Sequence, residues 1–197
     1  MLEEIFHNAE PGQLLSGSFA GETVCDADMS GCTFADLTLS NCRFVNCDFV
    51  RSSFSDCTIA DCIFKNCKFS SAYWRNVRWT DTKADDCDLR DGTFRFVDVT
   101  RGSFFYANFA DVLWEGCRIC DSFFNNAFLS NNRLKKTTFH KTDLTGADFF
   151  RTTLRGIDLS DCTIAGIKVS DTFSELKGLK ISAAQAADIA VLLGVKL

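Results

Sequence analysis

The chain has little of what most enzymes and membrane proteins depend on. Among its 197 residues there is one proline, Pro11, and there are two histidines, His7 and His140. No apolar run approaches the ~20 residues that cross a bilayer as a helix, and no signal peptide precedes the first motif. There is no glycine-rich phosphate loop, Ser-His-Asp set or nucleophile elbow. His7 lies in the leader and His140 on an outward position, so both read as solvated side chains. Carboxylates are plentiful, but Asp56, Asp61, Asp81, Asp86, Asp91, Asp111 and Asp121 recur at one position of a repeat. Turn chemistry accounts for them there without acid–base work. These absences argue against an enzyme, a bound cofactor and a membrane-spanning segment. With no linker composition either, one domain is expected.

What is present is a period of five. From Leu14 to Val169 every fifth residue is apolar, thirty-two times without an insertion, and only Ala84 in the series is small. Neither a helix nor a flat strand has this period, so the pattern describes an array in which each stride sends one large side chain inward. The expected core includes Phe34, Phe44, Phe49, Phe54, Phe64, Phe69, Trp74, Trp79, Phe94, Phe104, Phe109, Trp114, Phe124, Phe139 and Phe149. The residue two before each centre is Gly, Ala, Ser, Thr, Cys or Val in 27 of 32 strides; Glu22, Leu37, Asn132, Ile157 and Ile167 are the exceptions. One large and one small inward residue per stride lets neighbouring layers interlock. The residue two after the centre is Gly, Asn or Asp in 23 of 32 strides, the residues that tolerate a left-handed backbone or bond their own main chain. Each stride is therefore a short extended piece and a corner, with the other two slots facing water. A chain that bends this way must coil, and its coils stack like parallel strands about 4.8 Å apart. Four corners per coil are suggested by similarities twenty residues apart, such as Cys47, Cys67 and Cys87, or Trp74, Phe94 and Trp114.

Nine of the eleven cysteines occupy the small inward slot: Cys32, Cys42, Cys47, Cys57, Cys62, Cys67, Cys87, Cys117 and Cys162. Stacked residues keep their Cβ atoms about 4.8 Å apart, wider than the ~3.5–4.5 Å of a disulfide. The reading is a ladder of thiols used as small apolar filler in a reducing, cytoplasmic setting. The C-x4-C spacing of Cys42–Cys47 and Cys57–Cys62–Cys67 leaves zinc as an alternative, but zinc needs four ligands converging on one point. Successive cysteines here lie on different sides of a filled core, so no metal is expected.

Stretches such as "CRFVNCDFVRSSF", "CIFKNCKF" and "TDLTGADFFRTTLRGIDLSDCTI" resemble the pentapeptide-repeat family, whose repeat is roughly A-(D/N)-L-X-X. The resemblance covers residues 12–171. It implies an all-β, right-handed quadrilateral parallel β-helix of about eight coils, a rod about 38 Å long at the strand spacing. Residues 1–11 would cap the first coil through Leu2, Ile5 and Phe6. Residues 172–197 break the rhythm. Ser182 followed by Gln185 predicts a capping box, a helix over 183–193 and a stop at Gly194. Its apolar residues serve either a monomeric cap or pairing with a second copy. "LKGLKISAAQAADIAVLLGV" resembles the C-terminal dimerisation segment of the quinolone-resistance (Qnr and MfpA-like) branch, which implies a homodimer through Ala186, Ile189, Leu192, Leu193 and Val195.

That branch implies a partner: a type II topoisomerase, DNA gyrase or topoisomerase IV, bound by DNA mimicry and either modulated or protected from quinolones. Some resistance members carry loop insertions; this chain has none and resembles the loopless members. A duplex of about 38 Å carries roughly 22 negative charges, against a net charge of −5 here. Shape and local acidic stripes would then do more than bulk charge, and direct nucleic-acid binding is not expected. The alternative is a scaffold for another protein partner. The side with centres Leu14, Phe34, Phe54, Trp74, Phe94, Trp114, Leu134 and Leu154 holds three acids and six bases, including Arg133, Lys135, Lys136 and Arg155. Phe105, Tyr106 and Phe123 lie off the centre positions in the uncharged segments "GSFFY" and "SFFNN", with Phe96, Phe128 and Phe150 off-centre on neighbouring sides. Such rings either lie along polar stems or mark a contact surface.

Overall fold

Each turn of the chain comes to rest on the one before it, twenty residues back. In the computed structural model, which describes residues 2–196, Phe34 pairs with Phe54, Phe54 with Trp74, Trp74 with Phe94 and Phe94 with Trp114, all in parallel register. Met1 and Leu197, the outer bounds of the two expected caps, lie outside the described residues. A corner every five residues and a register of twenty give a tube with four sides. Side one carries centres Phe34 to Leu134, side two Leu39 to Phe139, side three Phe44 to Leu144 and side four Phe49 to Phe149.

The corners have a common cause. Twenty-three non-glycine residues two past a centre have φ between 45° and 61°, and Gly21, Gly31, Gly116, Gly146, Gly156 and Gly166 share this left-handed region. Fifteen of the twenty-three are Asp or Asn, which reach this conformation at least cost among side-chain-bearing residues. The corner N–H then donates to the next coil, as from Asp26 to the Val45 carbonyl and from Asn46 to the Lys65 carbonyl, both at 2.9 Å.

The sides differ in regularity. Sides one and two carry three-residue strands as far as Arg133–Lys135 and Thr138–His140. Side three has strands at Thr23–Cys25, Arg43–Val45 and Ile63–Lys65, then single bridges from Lys83 onward, and side four has single bridges throughout. The strand-bearing length, Leu14 to His140, is thus about six turns, shorter than the eight coils expected from the repeat count. The reason lies in the corners. In the last coil the centre carbonyl accepts from the N–H three residues on, as in Ile157 to Leu154 and Cys162 to Leu159, both 3.0 Å. Such tight turns use groups that a strand ladder would need. The array starts differently as well. Leu14, the first expected centre, is 63% exposed, and Leu15 takes the inward place at 7%. The register slips between Leu15 and Gly17, a bulge absorbed by Gly17 at φ 118°.

All fifteen aromatic centres named above are at most 3% exposed. They stack along the axis at close to the strand spacing: Phe34–Phe54 at 4.5 Å between centroids, Phe44–Phe64 at 4.9 Å, Phe49–Phe69 at 4.7 Å and Phe104–Phe124 at 4.8 Å. On side three the ladder breaks at Ala84, the small centre of the series. The Trp79 ring lies 5.5 Å from Phe64 and 5.8 Å from Phe104, the two phenylalanines that flank Ala84 on side three. The coil with two tryptophans, Trp74 and Trp79 at 5.1 Å, thus fits because its third centre is small.

Both ends are covered. Helix α1 (Leu2–His7) buries Leu2 and Phe6, with the Phe6 ring 5.8 Å from Phe34 and 5.9 Å from Phe44. At the other end the chain lies along the last coil: Leu154 donates to Glu175, Gly156 to Gly178 and Leu159 to Lys180, at 3.0, 2.9 and 2.9 Å. Burial alone would raise the Glu175 carboxyl. Hydrogen bonds from its own backbone, from the Arg151 N–H and from Ser170 outweigh that and hold it below its ordinary value. The final helix, α2 (Ala186–Leu192), is shorter than expected. The buried Gln185 is the reason. Its oxygen accepts from the Ser182 N–H at 2.7 Å, and its amide donates to the Leu159 and Cys162 carbonyls at 2.8 and 2.6 Å. This pins Ser182 to Gln185 as a turn, and the helix begins after it. The Ser182 hydroxyl caps nothing; it donates to Gln185. Gly194, at φ 83°, ends the helix.

Ala84→Phe should push against Trp79 and cost ~1–3 kcal/mol in chemical denaturation, part of it recovered by adding Trp79→Leu. Gln185→Ala should cost ~1–3 kcal/mol by orphaning two buried carbonyls. Hydrogen exchange should show the tail amides exposed while the strands stay protected.

Candidate interaction surface

With the axis filled, chemistry is confined to the outward slots, and those slots sort by sign and by greasiness. On side one, Arg75 pairs with Asp56 and Arg95 with Glu115, each at 3.1 Å. Arg133, Lys135, Lys136 and Arg155 make no ion pair among the described residues. Positive charge therefore gathers at the C-terminal end of that side. Elsewhere Asp and Arg neutralise one another up the rod, as in Arg101–Asp81 and Arg118–Asp98. An open groove of about 690 Å³ along the corner of sides one and two is lined by Asp56, Asn76, Arg78, Phe96, Asp98 and Arg118, a mixed and largely self-paired set.

Phe105 and Phe123 meet on side three, and Tyr106 follows Phe105 at the corner with side four. The Phe105 and Phe123 rings stack at 6.0 Å and 15°. Tyr106 is 55% exposed and Phe123 47%. Phe128 is on side four, one coil above Asn108 with which its backbone bridges, and is 45% exposed. Phe96 and Phe150 stand apart. Phe96 lies over Gly116, where a Cβ would come within 2.7 Å of its ring. Phe150 sits under the Arg151 guanidinium, 4.9 Å away. Carboxylates brace the cluster. Asp85 accepts from the Ser103 hydroxyl at 2.6 Å and the Phe105 N–H at 2.9 Å. Asp143 accepts from Asn125 at 2.8 Å and Thr145 at 2.6 Å. Its burial would raise it, but these bonds dominate and hold it below the ordinary carboxylate value.

The inward thiols donate to carbonyls of the neighbouring coil, as from Cys57 to Phe34 at 3.5 Å and from Cys117 to Phe94 at 3.3 Å. Burial pushes Cys62 and Cys87 up to about 12 and Cys117 to about 11. They are neutral, weakly polar filler rather than nucleophiles. All eleven cysteines are free. His140 lies 3.6 Å from Asp161 on the surface. In the tail, Ala186, Leu193 and Val195 face solvent, while Ile189 and Leu192 pack half-buried on the core. Val191, which sequence reasoning passed over, is exposed as well, at 59%. No helix among the described residues is long and apolar enough to cross a membrane.

Comparison with known proteins agrees with this architecture. Residues 25–89 match the family model of a pentapeptide repeat region, and residues 115–151 match that of pentapeptide repeats (8 copies). No curated protein matches the chain in sequence. Among solved structures, trypsin-treated QnrB1, a plasmid-mediated fluoroquinolone resistance protein, superimposes with a TM-score of 0.52 at 22% identity, covering 94% of this chain and 100% of its own. HetL, a pentapeptide repeat protein involved in heterocyst differentiation regulation in the cyanobacterium Nostoc sp., gives 0.41 at 13% identity, covering 88% and 91%. At 22% identity the likeness to QnrB1 speaks to fold alone. A five-residue rhythm wound inward around a four-sided tube, matched by both repeat models, makes this chain a member of the pentapeptide-repeat family.

Proposed function

We propose that this protein is a non-catalytic interaction module that binds a type II topoisomerase, DNA gyrase or topoisomerase IV, and modulates it or protects it from quinolones. The observation that carries this reading is the rod itself. Its axis is filled by stacked rings, its coat is available for contact, and its strand-bearing length of about six turns spans roughly 29 Å at the strand spacing, the dimensions of a short duplex. The fold shared with QnrB1, a fluoroquinolone resistance protein, supports it. With a net charge of only −5, contact rests on shape and on particular side chains more than on bulk charge. The ladder of buried, free thiols goes with a reducing, cytoplasmic setting.

We infer too that the tail pairs with that of a second copy. The solvent-facing residues Ala186, Val191, Leu193 and Val195 of the tail are the surface offered, and a two-fold contact there gives a rod of double length. Sedimentation at micromolar concentration should give twice 21.9 kDa, and Leu193→Asp should restore the monomer. A supercoiling assay with gyrase, run with and without ciprofloxacin, tests the partner. A change at tens of micromolar protein or less is expected. No effect from folded protein would favour a scaffold for another protein.

A further inference from the structure

We infer that the corner between sides three and four, at Phe105, Tyr106, Phe123 and Phe128, is a docking site for a basic protein segment carrying an apolar anchor. This rests on the reading that the chain works by binding a protein, not on which protein that is.

Tyr106 is out of keeping with its position. It occupies a corner with φ 56°, where a bulky ring is disfavoured and where most corners use Asp, Asn or Gly. Its neighbours in that role on the same corner are Asp86 and Asn126, at φ 56° and 55°. The ring repays nothing to the core, since more than half of it is exposed. Strain held at an exposed aromatic is a mark of use rather than of folding.

The cluster is also preorganised. The Phe105 backbone is tied to Asp85 at 2.9 Å, and the Phe105 ring is stacked on Phe123. Rigid rings lose little freedom on docking and supply the usual anchors of an interface.

The rim chooses the occupant. Toward the N-terminus lie Asp85, Asp86 and Asp88, and toward the C-terminus Asp143 and Asp148. Each row is one coil away, about 4.8 Å, inside the ~8 Å screening length of physiological salt. The bases in these rows are Lys83, Arg90 and Lys141, against five carboxylates, and Arg90 is already held by Asp88 at 3.1 Å. An apolar platform between rows of carboxylates repels nucleic acid and acidic proteins. It attracts Lys and Arg flanking an aliphatic or aromatic side chain.

The test uses the whole protein and a synthetic amphipathic peptide of Lys and Leu with one Trp, beside its counterpart with Glu for Lys. Fluorescence anisotropy should show micromolar binding of the Lys peptide and none of the Glu peptide. Phe105→Ser, Tyr106→Asn and Phe123→Ser together should weaken the Lys peptide at least tenfold, and Asp86→Asn with Asp88→Asn several-fold. Tyr106→Asn alone should leave the unfolding midpoint at or above wild type, so that lost binding is not lost fold. Equal affinity of the wild type and the triple variant for the Lys peptide, or equal affinity for both peptides, would overturn the site. Gyrase titrated in parallel separates the two readings. Wild-type protein that is inert toward gyrase but takes the Lys peptide keeps the site and removes only the topoisomerase. Gyrase activity with unchanged peptide affinity in the triple variant does the reverse.

Discussion

The whole structure depends on a backbone that turns left-handed once every five residues. Without that corner the chain would run on as a strand, its large residues would point alternately to two faces, and no axis would form. Left-handed backbone is costly for most residues, and the chain meets this mainly with Asp, Asn and Gly. Once the corner is made, its N–H points at the next coil, and the hydrogen bonds run along the rod. Strand spacing then dictates ring spacing, and the aromatic centres stack because the backbone puts them near stacking distance.

A consequence is the separation of labour between inside and outside. The two inward slots of each stride are constrained in size, one large and one small. The corner is constrained in conformation. The remaining slots are bound only by solubility, so they can hold charge pairs such as Arg118–Asp98, a basic group at one end, or rings that serve no core. The same tube can therefore present different surfaces with little change in its interior. This is why the fold alone does not name a partner.

How far the sequence could be read follows the same division. The stride, the inward pair, the corners, the buried thiols and both caps are local or strictly periodic, and the residues announce them. What escaped was non-local. Leu14 fits the period, but the first turn has no coil beneath it to enforce register, and Leu15 goes inward instead. Strands fade after His140 because the last corners tighten, a choice of hydrogen-bond pattern that residue type does not reveal. The tail helix starts late because Gln185 reaches carbonyls more than twenty residues away, which no capping rule contains. At the candidate site, Phe105, Tyr106 and Phe123 were visible as departures from the period. The stacking of Phe105 on Phe123 became visible only when the coils were laid on one another.

Trp79 and Ala84 carry a meaning beyond filling space. The oversized indole and the missing ring occur together in a single turn, and the indole spreads between the two phenylalanines above and below the alanine. Neither position is free to drift by itself: a larger residue at 84 would crowd the indole, and a smaller one at 79 would leave a void, so the two are bound to change as a pair.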